Sequence, residues 1–140
     1  MSGFLLDTNV PSELARPAPQ SAVVRWVDAN SQSGFHLSVV SVGELHKGFM
    51  LLAPGKRRVE LERWFEDYLL PLFGDRILPV THQVAERWGR LSAERQLRGA
   101  PMSTADGLIA ATAIERGLTL VTRNIKDFAD LGIPLLNPWE

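Results

Sequence analysis

Three acids in this chain stand in company that suits a hard cation. Asp7 ends the apolar run Phe4-Leu5-Leu6 and is followed by Thr8-Asn9. Glu44 closes Ser41-Val42-Gly43-Glu44, and Asp106 closes Ser103-Thr104-Ala105-Asp106. Asn124 and Asp127 follow the apolar run that ends at Val121, close enough to add an amide carbonyl or a fourth carboxylate. The chain has no cysteine, and His36, His46 and His82 are scattered without ligand spacing. Oxygen donors of this kind suit Mg²⁺ or Mn²⁺ rather than zinc.

Each acid also has a plainer reading. Both four-residue stretches match the helix-capping pattern, and a first-turn acid is favoured by the helix dipole. Asp7 could be a turn residue. Against this, Asp106 shares a helical face with Ile109, Ala110 and Ala113, an apolar neighbourhood that a solvent-facing cap does not need. Carboxylates gathered in such surroundings push up one another's pKa unless a cation neutralises them.

The acids can meet only if the elements bring them to one edge. Phe4–Leu6 reads as a strand buried on both faces. A short helix follows, which Asn9 can cap with Pro11 in its first turn. A helix over 20–30 and a turn over 31–34 lead to a strand over 35–40. Ser41 to Glu44 would open the third helix, which Pro54-Gly55 breaks. The next helix has the clearest periodicity, with Leu61, Trp64, Phe65, Tyr68, Leu69 and Leu72 on one stripe and Pro71 and Gly74 ending it. A third strand over 77–80 precedes a helix from Thr81, with Val84, Trp88 and Leu91 inward and Glu86, Arg90, Glu94 and Arg98 spaced as a ladder of ion pairs. A small-residue helix from Ser103 to Arg116, a strand over 118–122 and a short edge strand over 133–136 complete the chain. Strands alternating with helices make an α/β fold: a mostly parallel sheet of four to five strands with helices on both faces. In such a sheet Asp7, Glu44, Asp106, Asn124 and Asp127 all fall at the carboxyl edge, where ligands bind.

At 140 residues the chain suits one domain over 1–140. Net charge is −1, but with three carboxylates set aside for a metal the remainder is slightly basic, which permits a phosphate-backbone partner. No run approaches the length of a membrane helix and no secretory leader is visible, so a cytoplasmic protein is expected. Trp26, Trp64 and Trp88 sit at helical core spacing and read as packing residues. The helix around Phe49-Met50-Leu51-Leu52 is apolar on more than one face, which implies deep burial or a covering partner.

Taken together, Leu6-Asp7-Thr8-Asn9, Ser41-Val42-Gly43-Glu44-Leu45, Thr104-Ala105-Asp106-Gly107-Leu108-Ile109-Ala110-Ala111 and Leu120-Val121-Thr122-Arg123-Asn124 with Asp127-Phe128 resemble the PIN domain. Leu135-Leu136-Asn137-Pro138-Trp139 is similar to the close of its VapC-type toxins. The resemblance spans essentially the whole chain. It implies a Mg²⁺- or Mn²⁺-dependent endoribonuclease of a toxin–antitoxin pair, hydrolysing RNA by metal-activated water and neutralised by a cognate antitoxin. It further implies a homodimer and higher assembly with that antitoxin, docked on the helices around residues 49–52 and 58–72. Asp7, Glu44 and Asp106 take the family's acidic positions as catalytic and metal-binding residues. Asn124 stands where a further acid is usual, with Asp127 beyond it as the nearest charged substitute. Thr8, Asn9 and Thr104 would orient the carboxylates, and Arg123 would hold substrate phosphate.

Two other readings share these features. A catalytically weak PIN-like module would bind RNA or protein without cutting, and Asn124 is the residue that suggests it. A Mg²⁺-dependent phosphatase would also use acids at strand ends. The dehalogenase-type version, however, wants an acid two residues after Asp7, where Asn9 stands, and no Gly-rich phosphate loop is present.

Overall fold

Five short parallel strands set where every functional side chain can go. In this computed structural model, which describes residues 3–140, they are β1 (Phe4–Leu6), β2 (Phe35–Ser38), β3 (Ile77–Leu78), β4 (Thr119–Val121) and β5 (Leu135–Leu136). They lie in the order β3-β2-β1-β4-β5, and every neighbouring pair is parallel. Side chains alternate between two cores. Leu6, Phe35, Leu37 and Val121 enter one, while Leu5, Leu78 and Leu120 enter the other. Apolar side chains on both faces explain why β1, β3 and β5 are unbroken apolar runs.

Helices α1 (Asn9–Leu14), α2 (Ser21–Asn30), α3 (Val39–Leu51), α4 (Lys56–Trp64) and α5 (Leu70–Phe73) supply the first core. Helices α6 (His82–Leu97), α7 (Thr104–Arg116) and α8 (Ile125–Phe128) supply the second. Trp26 and Trp64 pack half-buried against the first core and Trp88 against the second.

Several boundaries differ from expectation, each for a local reason. The second strand stops at Ser38 rather than residue 40, because the Ser38 hydroxyl accepts the Val40 N–H at 3.0 Å and starts α3 at Val39. Ser41 is therefore a buried residue inside the helix and not its cap. Glu44 falls in the second turn rather than the first. The first helix begins at Asn9 behind Thr8, and no side chain caps it.

Pro71 does not end its helix. It lacks an N–H for a carbonyl one turn back, and the preceding Phe65–Leu69 widens into a π segment in which the Leu70 N–H reaches the Phe65 carbonyl. The charge ladder of α6 does not form either. Glu86 meets His82, Arg87 crosses to Glu115 of α7 at 2.7 Å, and Arg90, Glu94 and Arg98 make no ion pair among the described residues. Exposed pairs gain too little to hold two long side chains in one geometry. The capping pattern at Ser103 is met: its hydroxyl accepts the Asp106 N–H at 3.1 Å. Gly117 closes α7 in the left-handed region at φ 63°.

Candidate metal centre

The chain turns from β1 towards β2 on one side and places β4 on the other, so the sheet reverses direction at the β1/β4 seam. Open α/β sheets leave a crevice there, beyond the carboxyl ends of the strands. Leu6 pairs with Val121, which puts Asp7 and Thr122 side by side at the mouth of that crevice.

Asp7 is the most confined of the candidate site acids, 5% exposed. Its Oδ1 accepts the Thr8 N–H at 2.8 Å, and its Oδ2 accepts the Thr122 hydroxyl at 2.8 Å and the Asn9 amide at 3.4 Å. Thr122 is held in turn, its Oγ1 accepting the Asn124 N–H at 3.0 Å. Burial pushes the Asp7 carboxyl up to about 6. The Thr122 and Thr8 hydrogen bonds pull it back, and the charges of Asp106 and Glu44 raise it further.

Asp106, in the first turn of α7, is half-buried. Its carboxyl is also raised, by burial first and then by the charges of Asp127 and Glu44. Glu44 is exposed, and the Thr8 hydroxyl donates to its Oε1 at 2.6 Å while lying 2.7 Å from the Ser41 hydroxyl. Thr8 thus joins the strand bearing Asp7 to the helix bearing Glu44. Asn124 precedes α8 and Asp127 lies within it, both exposed. Thr104 begins α7 and bonds none of the acids among the described residues. Arg123 is exposed and rests over the Trp139 ring, 5.5 Å from its centroid.

The four carboxylates therefore feel one another without closing into a cage. Among the described residues no group of three His, Asp or Glu side chains is tight enough to grip an ion directly. That spacing and donor set still fit a Mg²⁺-like ion, which keeps several waters and takes only one or two carboxylates directly. Asn9 adds a buried Oδ1 without a hydrogen-bond partner beside the Asp7 carboxylate. An acid held near 6 by burial and by like charges is an arrangement that a cation relieves.

A parallel sheet with one buried and one half-buried acid at its switch point suits a site that meets phosphate esters through a metal. Residues 4–134 match the PIN domain, and the chain belongs to this family. It is 40% identical over 137 residues to Toxin FitB of Neisseria gonorrhoeae, covering 98% of this chain and 99% of that protein. It is 37% identical over 137 residues to VapC ribonuclease Y4jK of Sinorhizobium fredii, covering 98% of each. Its fold superposes on a chain of the FitAB complex bound to an IR36 DNA fragment with TM-score 0.89 at 38% identity, covering 98% of this chain and 96% of that one.

Two residues of the site escaped the sequence. Thr122 and Ser41, both wholly buried, fix Asp7 and Thr8. A threonine directly after a buried strand was the available signal, but its role depends on β4 lying beside β1, which no local pattern encodes.

Proposed function

We propose that this chain is the toxin of a toxin–antitoxin pair and acts as a divalent-metal-dependent endoribonuclease. The observation that carries this reading is Asp7, buried at the β1/β4 switch point with its carboxyl raised to about 6 and two further acids within electrostatic reach. Relatives named as toxin and ribonuclease at 37–40% identity over nearly full length support it. No helix among the described residues is long and apolar enough to cross a membrane.

Asp7 and Asp106 would hold the ion directly, with Glu44 and Asp127 acting through water and Asn124 offering a carbonyl. Mg²⁺ is the ion of choice, and Mn²⁺ fits the same donors. A bound ion supplies positive charge that neutralises the acids, polarises a phosphodiester and acidifies the attacking water. The chain's own part is positional. Thr8, Thr122 and Asn9 fix the Asp7 carboxylate, Thr8 also orients Glu44, and Arg123 lies ready for substrate phosphate. The partners are an RNA substrate, a protein antitoxin and a second copy of the chain.

Replacing Asp106 with Asn removes one negative charge and keeps the Ser103 cap, which bonds the backbone of residue 106. Cleavage of a mixed single-stranded RNA pool in Mg²⁺ is expected to fall at least about a hundredfold, with an unchanged circular dichroism spectrum. Undiminished cleavage overturns the assignment. Binding of Mn²⁺ without any cleavage by the natural sequence favours a binding module instead.

A further inference from the structure

Beyond the acids, the same edge holds a second feature. A cleft of about 450 Å³ opens between the segment Arg123–Asp127 and the chain end at Asn137 and Glu140. Arg123 and Lys126 give it two cations, Asn124 an amide and Ile125 an apolar wall. Its volume lies within the roughly 300–1,000 Å³ usual for small-ligand sites.

Neither cation has a carboxylate partner within 4 Å among the described residues, although Asp127 and Glu140 line the same cleft. The reason is visible for Glu140, whose Oε1 accepts the Asn137 amide at 2.8 Å. Asp127 lies close enough to Asp106 to raise its carboxyl. Arg123 is meanwhile held in place by the Trp139 ring. Trp139 packs against the first core, and its backbone N–H donates to the Asn137 Oδ1 at 2.9 Å. A guanidinium stacked on an anchored indole loses less freedom on meeting an anion than a free one does. Asn137 thus keeps an acid occupied and supports the arginine's platform.

We propose that this cleft takes the nucleotide next to the cleaved phosphodiester of a single-stranded RNA, with its phosphate on Arg123 and Lys126 and its base on Ile125 within reach of Asn124. The inference rests on the ribonuclease reading and extends it from the bond that is cut to the nucleotide beside it. Asp127 lines the cleft and also raises the Asp106 carboxyl, so cleft and acid edge share a side chain. The Asn124 N–H bonds Thr122, which bonds Asp7, so a continuous run of hydrogen bonds joins the cleft to the acids. A base can enter only when it is unpaired, because in a duplex its edge and faces are already taken. Asn124, at the position where an acid is usual, then has a second use: its side-chain amide N–H can donate to a base edge, without repelling the neighbouring phosphate.

The test is equilibrium binding of a short fluorescein-labelled single-stranded RNA in EDTA, where metal-dependent cleavage cannot intervene. Arg123→Gln is expected to weaken binding about tenfold and to reduce the slope of log Kd against log salt by ~0.7, one phosphate contact on a single strand. Lys126→Gln reduces the slope similarly, and Arg123→Lys restores the slope but only part of the affinity. The same sequence closed into a hairpin stem is expected to bind the natural protein and Arg123→Gln alike. Affinity and salt slope unchanged in Arg123→Gln and in the Arg123→Gln/Lys126→Gln double variant overturn the cleft, even if cleavage in Mg²⁺ is normal. The expected binding pattern without any cleavage in Mg²⁺ upholds the cleft and overturns the ribonuclease reading. Absence of RNA binding by the natural protein in EDTA overturns the cleft, and cleavage in Mg²⁺ then decides the ribonuclease reading separately.

Discussion

Asp7 is caught between burial, which disfavours its charge, and two hydrogen bonds that favour it, and burial wins. Below about pH 4 the residue is protonated in both the folded and the unfolded chain. Between there and about pH 6 the unfolded chain ionises while the fold retains its proton, so the metal-free protein loses stability as pH rises through that interval. The loss from Asp7 is about 3 kcal/mol, and the raised carboxyl of Asp106 adds to it with the same sign. Asp7→Asn removes the titrating charge, and the Thr122 hydroxyl can turn to accept the new amide. In EDTA at pH 7.5 this variant is expected to be more stable than the natural protein by about 1–3 kcal/mol, with the advantage gone at pH 4 and RNA cleavage abolished at every pH. Urea denaturation at the two pH values reads this directly. A variant less stable at pH 7.5 would show that the hydrogen bonds outweigh burial. Asp7 was legible in the sequence because a lone acid after an apolar run is conspicuous, and Glu44 and Asp106 because each closes a short stretch that opens on a serine. Thr122 and Ser41 were not, because a buried hydroxyl acquires meaning only from its partner, and each partner is more than thirty residues away.

Asp106 depends on how closely α7 packs on α6, and Gly107 sets that distance. A Cβ built there would lie 2.7 Å from Trp88 Cδ1 and 2.9 Å from its Nε1. These atoms belong to a rigid ring packed against the second core, so the ring cannot swing aside cheaply. Gly107→Ala gains about 1 kcal/mol of helix propensity and meets about 1–3 kcal/mol of overpacking. The overpacking should win, giving a net loss on the order of 1 kcal/mol by thermal denaturation together with reduced cleavage from the displaced Asp106. Adding Trp88→Leu should return most of the stability, and a failure to do so would place the strain elsewhere. The elements were otherwise readable to within a few residues, and the exceptions share a cause. Val39 and Val40 are strand formers by propensity, but the Ser38 hydroxyl captures the Val40 N–H and the helix starts early. That shift carries Glu44 a turn inward, to where Thr8 can reach it. Pro71 is a helix breaker by rule, yet one π segment accommodates it. In each case a single hydrogen bond decided what propensity left open.

At the scale of the whole molecule, the acid edge and an exposed apolar patch are joined by one groove. The end of α3 presents Met50, Leu51 and Leu52 with 57%, 77% and 39% of their surface exposed, and Val59 of α4 adds 48% beside them. Arg58 ties the two helices together by donating to the carbonyls of Met50 and Leu52. Between α1, α3 and α4 runs a groove of about 210 Å³ lined by Ser12, Arg16, Glu44, Phe49, Leu52 and Leu61. Glu44 belongs to both this groove and the acid cluster, so a partner helix that covers the apolar patch and fills the groove also closes one side of the metal edge. An antitoxin docked there would neutralise by occupancy alone, with no conformational change in the toxin. Leu51 separates folding from binding, because at 77% exposure it contributes little to the isolated fold. Leu51→Glu should leave the denaturation midpoint of the isolated protein within about 0.5 kcal/mol of its original stability. It should weaken the complex with the cognate antitoxin by at least about tenfold, because the interface loses an apolar anchor and gains a buried unpaired charge. Titration calorimetry of the purified pair, alongside RNA cleavage at a fixed antitoxin concentration, measures both consequences. Wild-type affinity for the antitoxin would mean that the antitoxin docks elsewhere.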